Sequence, residues 1–166
     1  MNIRPISTDD YCFLEEFLYQ AIYVSSDSVL PPKAIIYTPE IYIYVKDFGK
    51  QKGDYAVIAE EGNDIVGMAW TRIIPAYGYI DSDTPELAIS LLSEYRGKGA
   101  GTRLMETLHD ILRENGYRYT SLSVQKDNPA VRFYLRLGYE ILEERLDFVG
   151  HSDYIMKYDL YNERKC

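Results

Sequence analysis

The feature that most constrains this chain is a glycine-rich junction between an apolar segment and a helix. Residues 86–92 read Glu-Leu-Ala-Ile-Ser-Leu-Leu, a run typical of a buried strand, and residues 96–101 follow as Arg-Gly-Lys-Gly-Ala-Gly. Glycines let the backbone approach a ligand without a Cβ in the way. The first N–H groups of the following helix lack intrahelical partners and lie at the positive end of the helix dipole. The junction therefore predicts a site for an anion, in particular a phosphate.

The spacing of the glycines distinguishes this junction from two common phosphate-binding motifs. Gly97, Gly99 and Gly101 form Gly-x-Gly-x-Gly, whereas a dinucleotide fingerprint needs Gly-x-Gly-x-x-Gly. A P-loop needs Lys followed by Ser or Thr after its last glycine, and here Gly101 is followed by Thr-Arg. The pattern that remains is Arg-x-x-Gly-x-Gly, which starts at Arg96.

A second motif lies downstream. Residues 128–139 read Asn-Pro-Ala-Val-Arg-Phe-Tyr-Leu-Arg-Leu-Gly-Tyr. With these two segments the chain resembles the GNAT superfamily of acetyl-CoA-dependent N-acetyltransferases. The acetyl-CoA motif of that family is Arg or Gln, two residues, Gly, one residue, then Gly or Ala. Its other signature is an Asn, a short helix carrying a Tyr, and Leu-Gly-Phe or Leu-Gly-Tyr. Both motifs occur here in the family's order, separated by one helix and one strand.

Composition and charge narrow the class of protein. The 166 residues predict a single domain over residues 1–166. A net charge of -8 argues against nucleic acid as a partner, because such binding depends on neutralising phosphates. No apolar run approaches the length of a membrane span, and the N-terminus lacks the apolar region of a signal peptide. Two cysteines predict neither a disulfide framework nor a metal cluster, so we expect a cytoplasmic protein without a membrane partner.

Hydrophobic periodicity and capping signals predict an α/β (α+β) order of elements. The predicted strands are 1–6, 54–60, 65–74, 86–92, 118–124, 139–148 and 153–160. The predicted helices are 9–23, 38–49, 99–115 and 128–137, with a loop over 24–37. This order matches the GNAT fold, a mixed, strongly twisted central sheet of about six to seven strands flanked by about four helices. In that family two parallel strands separate, and here they would be 86–92 and 118–124.

The resemblance implies how acetyl-CoA, the cosubstrate, would be held, and it implies no metal. The pyrophosphate would lie on the junction, whose predicted contacts are Arg96, Gly97, Lys98, Gly99, Ala100, Gly101 and Thr102. The pantetheine arm would pair as an additional strand with the main chain of Ile89, Ser90 and Leu91. The N–H near Leu91 would also stabilise the oxyanion that forms during transfer. Either Asn128 or Asp127 would cap the following helix and contact the pantetheine, because six positions separate Asn128 from Tyr134 where many relatives have seven.

The resemblance also implies catalytic roles. Tyr134 matches the family's general acid, a phenol placed near the thioester sulfur. Glu86 is the predicted base, and Asp81, Asp83 and Ser123 are alternatives to it. The two histidines are weaker candidates. His109 is predicted to lie on a solvated helix face, and His151 to lie at a hairpin tip beside the acceptor pocket.

The acceptor side is predicted less closely. Segments 24–50, 75–85 and 147–153 would line it, and their Tyr and Asp residues suit a small cationic or aromatic amine or a peptide N-terminus. The expected reaction is direct transfer of an acetyl group from acetyl-CoA to a primary amine in a ternary complex. A longer acyl-CoA donor, a homodimer, and a non-catalytic acyl-CoA-binding sensor are all compatible with the resemblance.

Overall fold

Seven strands form one mixed sheet in the computed structural model, which describes residues 1–147 and 149–162. The strands are β1 (Asn2–Pro5), β2 (Tyr55–Glu61), β3 (Asp64–Arg72), β4 (Glu86–Leu91), β5 (Tyr119–Gln125), β6 (Glu140–Leu146) and β7 (Ser152–Asp159). Their order in the sheet is β1-β2-β3-β4-β5-β7-β6, and β4 and β5 are the parallel pair among otherwise antiparallel neighbours. The predicted mixed α/β sheet is confirmed. The strand predicted at 139–148 ends on Phe148, which lies outside the described residues.

Four α-helices flank the sheet in the described part of the chain: α1 (Leu14–Gln20), α2 (Pro39–Tyr42), α3 (Ala100–Glu114) and α4 (Ala130–Leu137). The predictions for α3 and α4 hold to within two residues at each end. The predicted helix over 9–23 is wrong in extent, because it begins as a 3-10 helix over Thr8–Phe13. There Asp10 turns back to accept hydrogen bonds from the Ser7 N–H and from Arg4.

The predicted helix over 38–49 is also too long, and the predicted loop over 24–37 contains a 3-10 helix, Lys33–Tyr37. Residues 41–45 read Ile-Tyr-Ile-Tyr-Val, and such β-branched and aromatic side chains lose rotamer freedom in a helix. Val45 and Phe48 are instead buried in the core by the turns that follow α2. Tertiary packing therefore determines this segment more than local helix propensity does.

Two hydrophobic layers cover the two faces of the sheet. On one face α3 buries Leu104, Leu108 and Leu112, which recur every fourth residue and so lie on one side of the helix. On the other face Phe17 of α1 packs in the same cluster as Trp70 of β3. Because both faces are covered, β2 and β3 carry uninterrupted apolar runs at residues 56–59 and 65–70.

A buried ion pair fixes the segment between α2 and β2. The Arg72 guanidinium donates to the Asp54 carboxylate at 2.9 Å and to the Ile43 carbonyl at 2.9 Å. The indole N–H of Trp70 donates to the Tyr44 carbonyl at 3.0 Å. The main chain around Tyr44 is therefore held against β3, which directs the Tyr44 phenol towards the start of β4.

Candidate active site

Strands β4 and β5 separate soon after they meet. Glu86 and Ser121 are the paired residues of these two strands, and the Ser121 N–H donates to the Pro85 carbonyl at 3.0 Å. On its other edge β4 stays paired with β3 over the whole of residues 86–91. A gap therefore opens between β4 and β5 beyond Glu86, at the two strands where the resemblance predicted a separation.

The alternation of an antiparallel ladder decides which groups of β4 face this gap. The Leu92 N–H donates to the Val66 carbonyl of the β3 side at 2.9 Å. In an antiparallel pair successive residues direct their N–H and C=O groups to opposite edges. The main chain of Ser90 therefore faces β3, whereas the main chains of Ile89 and Leu91 face the gap.

One of the three residues predicted to pair with the pantetheine arm is therefore excluded from that role. The Ser90 main chain cannot pair with a ligand in the gap because it belongs to the β3 ladder. The Ser90 hydroxyl points to the other layer and donates to the Phe17 carbonyl at 2.6 Å. Arg96 Nε donates to the Leu91 carbonyl at 3.0 Å, so the Leu91 N–H and both polar groups of Ile89 remain directed into the gap.

The glycine-rich loop presents free backbone donors. Within the described residues, the N–H groups of residues 97–102 donate to no protein acceptor, and the next donor along the chain is the Arg103 N–H, which bonds to Gly99 O at 3.2 Å. Gly97 and Gly99 have φ values of 72° and 87°, in the left-handed region that favours glycine. A Cβ built on either residue would meet nothing within 4 Å. This open, donor-lined loop fits a pyrophosphate group.

Gly101 has a different role from the two glycines before it. A Cβ at Gly101 would lie 3.3 Å from Phe133 Cζ and 3.6 Å from Leu91 Cδ1. The small residue thus lets the start of α3 approach both α4 and β4. The loop, the gap and α4 are brought to one place by this contact.

Tyr134 lies on α4 in a mostly aromatic setting. Its half-buried ring lies 5.4 Å from the Phe133 ring and 5.8 Å from the Tyr139 ring, measured between centroids. Burial raises the pKa of Tyr134 to about 12, so the phenol keeps its proton at neutral pH. Asn128 Oδ1 accepts from the Ala130 N–H at 2.9 Å, so Asn128 rather than Asp127 provides the side-chain cap of α4.

Glu86 is the most unusual acid of the site. It is 3% exposed, and its Oε1 is buried without a hydrogen-bond partner among the described residues. The Tyr44 hydroxyl donates to Oε2, and Gly78 lies against the carboxyl group. Burial is the main reason that the pKa of Glu86 is raised to about 7, against an ordinary value of 4.5. The Tyr44 hydroxyl also reaches Ser123 of β5.

Of the alternatives to Glu86 as the base, one lies close to it and the others are exposed. Ser123 lies in the cluster of Tyr44 and Glu86, on the far side of the gap. Asp81 and Asp83 are exposed in the loop before β4, where Asp81 Oδ1 accepts from the Asp83 N–H at 2.9 Å. His151 is exposed at the turn before β7, with Nδ1 3.2 Å from Asp147 Oδ2.

The prediction of a solvated His109 is wrong. The side chain is 3% exposed, stacks on the Tyr158 ring at 4.5 Å, and its Nε2 lies 2.8 Å from the Tyr139 hydroxyl. His109 follows Leu108 on α3 and lies at the margin of the apolar face, where two tyrosines of distant segments cover it. Neither tyrosine is near it in sequence, so the charged neighbours on its own helix were misleading.

A cavity of about 440 Å³ lies next to the segments that carry Tyr44 and Gly78, whose chain neighbours Ile43 and Tyr77 line it. It is lined by Pro39, Glu40, Ile43, Pro75, Ala76, Tyr77, Arg145, Leu146 and Asp153. The segments predicted to border the acceptor side thus meet here from three separate parts of the chain. The volume suits a small-molecule ligand.

Two features are absent from the described residues. Among residues 1–147 and 149–162, no three His, Cys, Asp or Glu side chains are grouped so that they could hold a metal ion. None of the helices in the same ranges is both long and apolar enough to cross a bilayer.

Comparison with known proteins places this site in a family. The sequence profile described as Acetyltransferase (GNAT) family matches residues 19–139, well over half of the chain. The chain belongs to this family. The profile spans the gap, the glycine-rich loop and α4, so it includes the elements that build the site.

Individual proteins are similar to this GNAT protein in sequence or in structure. A mycothiol acetyltransferase of Corynebacterium glutamicum (strain R) is 33% identical over 91 residues, which are 52% of this chain and 28% of that protein. The chain thus matches little more than a quarter of that relative. The structure of yncA from Salmonella typhimurium, solved with its cofactor acetyl-CoA, has a TM-score of 0.69 at 18% identity and covers 100% of this chain and 97% of that one.

A further solved structure shows the same fold. The ribosomal-protein-S18-alanine N-acetyltransferase from Escherichia coli has a TM-score of 0.67 at 17% identity, covering 99% of this chain and 96% of that one. At such identities the likeness establishes the fold alone. The acceptor of this chain has to be argued from its own residues.

One component of the site was not predicted from sequence. Tyr44 is separated by 42 residues from Glu86, the carboxylate to which it donates. The sequence signal for such a partner was the unusual number of tyrosines in this segment. That number does not indicate which tyrosine donates to Glu86.

Proposed function

We propose that this GNAT protein transfers an acetyl group from acetyl-CoA to a primary amine within a ternary complex. The observation that carries the proposal is the buried Glu86 carboxyl at the point where β4 and β5 separate. A carboxylate with one unpartnered oxygen beside an open gap is suited to accept a proton from a molecule bound there.

The pKa of Glu86 matches this task. An alkyl amine has a pKa near 10, like lysine, and must lose a proton before it can attack a carbonyl carbon. A base is most effective when its pKa lies near the working pH, and that of Glu86 is about 7. Tyr44 holds Oε2 by a hydrogen bond, which leaves Oε1 to accept the proton directly or through a water molecule.

The donor would be held by backbone groups of this chain. Acetyl-CoA supplies an activated thioester, and the free N–H groups of residues 97–102 would bind its pyrophosphate. The main chains of Ile89 and Leu91 would pair with the pantetheine amides across the gap, and Asn128, whose side chain caps the start of α4, would contact the same arm. The Leu91 N–H would donate to the thioester carbonyl oxygen as negative charge develops on it.

Tyr134 would supply the proton for the departing CoA thiolate. Its pKa of about 12 keeps the phenol protonated at neutral pH. The phenol would therefore donate to the thiolate and regain a proton from the nitrogen of the tetrahedral intermediate, through solvent, while the proton that Glu86 took from the ammonium group would return to solvent. The acid and the base lie on separate elements, α4 and β4, so they can act at different atoms of the reacting pair.

Calorimetric titration with acetyl-CoA and desulfo-CoA, followed by a thiol-release assay over a panel of amines, tests this proposal. Glu86→Gln and Tyr134→Phe should each lower kcat by about 10²-fold or more and leave the Kd for acetyl-CoA nearly unchanged. The matched controls are Glu114→Gln and Tyr161→Phe, at positions remote from the gap.

Two outcomes would contradict the proposal. Turnover that survives both substitutions would remove Glu86 and Tyr134 from the mechanism. Acetyl-CoA binding without thiol release from any amine would favour a non-catalytic acyl-CoA sensor, which needs the loop but no acid or base.

A further inference from the structure

Asp153 of β7 is a buried carboxylate without a cation. It is 6% exposed and lines the cavity described above, and its Oδ1 is buried with no hydrogen-bond partner among the described residues. Burying a charged group without a partner is costly, so native proteins rarely leave one in this state unless a ligand completes it. The cavity therefore presents an incomplete polar site.

Arg145 is the cation best placed to neutralise Asp153, but it forms its hydrogen bonds with other groups. Arg145 of β6 lies directly opposite Asp153 in the sheet. Its NH1 instead donates to the Tyr79 carbonyl at 2.9 Å and to the Tyr77 carbonyl at 3.3 Å, and its Nε donates to Glu143 at 2.8 Å. The Arg145 guanidinium thus binds the loop before β4 and the Glu143 carboxylate. The negative charge of Asp153 therefore remains uncompensated.

The remaining charges around Asp153 are mainly negative. The pKa of Asp153 is raised to about 6, mainly by burial and in smaller part by Asp147 and Asp127, while His151 acts in the opposite direction. Glu40 of α2 lines the same cavity. Asp147 already binds the N–H groups of the turn before β7 and the His151 ring. The surroundings of Asp153 thus favour a positive group.

The cavity lies on the same face of the sheet as the proposed catalytic base. Glu86 pairs with Ser121 and Asp153 pairs with Gln125, so both acids project from the same face of the sheet. Ser121 and Gln125 are four residues apart on β5, which corresponds to roughly 13 Å along a strand. Tyr77 lines the cavity and the adjacent Gly78 lies against Glu86, so one loop runs between the two sites.

We propose that the acceptor is a small diamine or polyamine, whose second ammonium group is bound by Asp153 while the first reaches Glu86. The proposal rests on the acetyltransferase function above and adds the class of its acceptor. A monoamine would leave the Asp153 carboxylate unpaired in the complex, whereas a diamine would pair it. The selectivity comes from charge complementarity with the buried Asp153 carboxylate.

Steady-state thiol release tests the proposal with linear diamines from diaminobutane to diaminodecane, each beside the alkyl monoamine of equal length. The best diamine should have a kcat/KM at least about tenfold above that of its monoamine. Asp153→Asn should remove this preference by lowering kcat/KM for diamines while monoamines change by less than about twofold. Asp64→Asn, at an exposed acid at the start of β3, is the matched control.

Calorimetric titration of diamine into the CoA-bound protein separates this proposal from the function on which it rests. Asp153-dependent diamine binding without thiol release from any amine would support the subsite and refute the acetyltransferase. Equal kcat/KM for diamines and monoamines in the unsubstituted protein would overturn the subsite, whether or not Asp153→Asn folds. Preferential acetylation of a basic peptide over every diamine would also overturn it.

Discussion

Replacing Glu86 by glutamine should change how the stability of the protein depends on pH. Below pH 4.5 the carboxyl is protonated in both the folded and the unfolded chain. As the pH rises towards about 7, the unfolded chain releases this proton while the folded chain retains it. The raised pKa therefore contributes stability at low pH that is lost as the pH passes through this window. Glutamine does not titrate and is almost isosteric.

The magnitude follows from the two pKa values. The change from 4.5 to about 7, at about 1.4 kcal/mol for each pKa unit, amounts to about 3.5 kcal/mol, of which about 3 kcal/mol falls between pH 4.5 and pH 8. The hydrogen bond from Tyr44 can be kept by the glutamine carbonyl, so its loss does not enter the difference. The unfolding free energy of Glu86→Gln, minus that of the unsubstituted protein, should thus increase by about 3 kcal/mol between pH 4.5 and pH 8.

Urea unfolding at a series of pH values measures this difference. Asp153 also has a raised pKa, but it is present in both proteins and cancels. Glu114→Gln, at an exposed site at the end of α3, should show a difference that stays flat. A difference for Glu86→Gln that is constant across the range would mean that the carboxyl is not desolvated in the fold, and the assignment of Glu86 as a base with a raised pKa would fail with it.

Three further substitutions test other parts of the structure. Gly78→Ala places a Cβ 2.8 Å from the carboxyl carbon of Glu86, so kcat should fall at least about tenfold with an unchanged Kd for acetyl-CoA in calorimetry. Gly99→Ala forces a side chain into a backbone with φ of 87°, and we expect a loss of about 1 kcal/mol in urea unfolding together with weaker acetyl-CoA binding. His109→Leu leaves the Tyr139 hydroxyl without its partner, and a loss of about 1–3 kcal/mol with unchanged thiol release would confirm a structural role.

Much of the fold follows from local pattern. The leucines of α3 recur every fourth residue, and Gly138 with a φ of 108° ends α4, so both helices are readable from neighbouring residues. The structure of segment 38–49 cannot be predicted from neighbouring residues. Thr38-Pro39 is a good helix start signal, but the burial of Val45 and Phe48 prevents the helix from continuing to residue 49. Local signals place an element reliably only where packing and propensity agree.

The sequence by itself determined the glycine-rich loop with its free donors, the two motifs and the family, because glycine conformation and free helix-start donors are properties of adjacent residues. Only the tertiary structure decided that Ser90 belongs to the β3 ladder, that Tyr44 reaches Glu86, and that Arg145 turns away from Asp153. Burial and charge compensation, which set pKa values, depend on side chains brought together from distant parts of the chain, and strand alternation depends on which neighbour a strand pairs with.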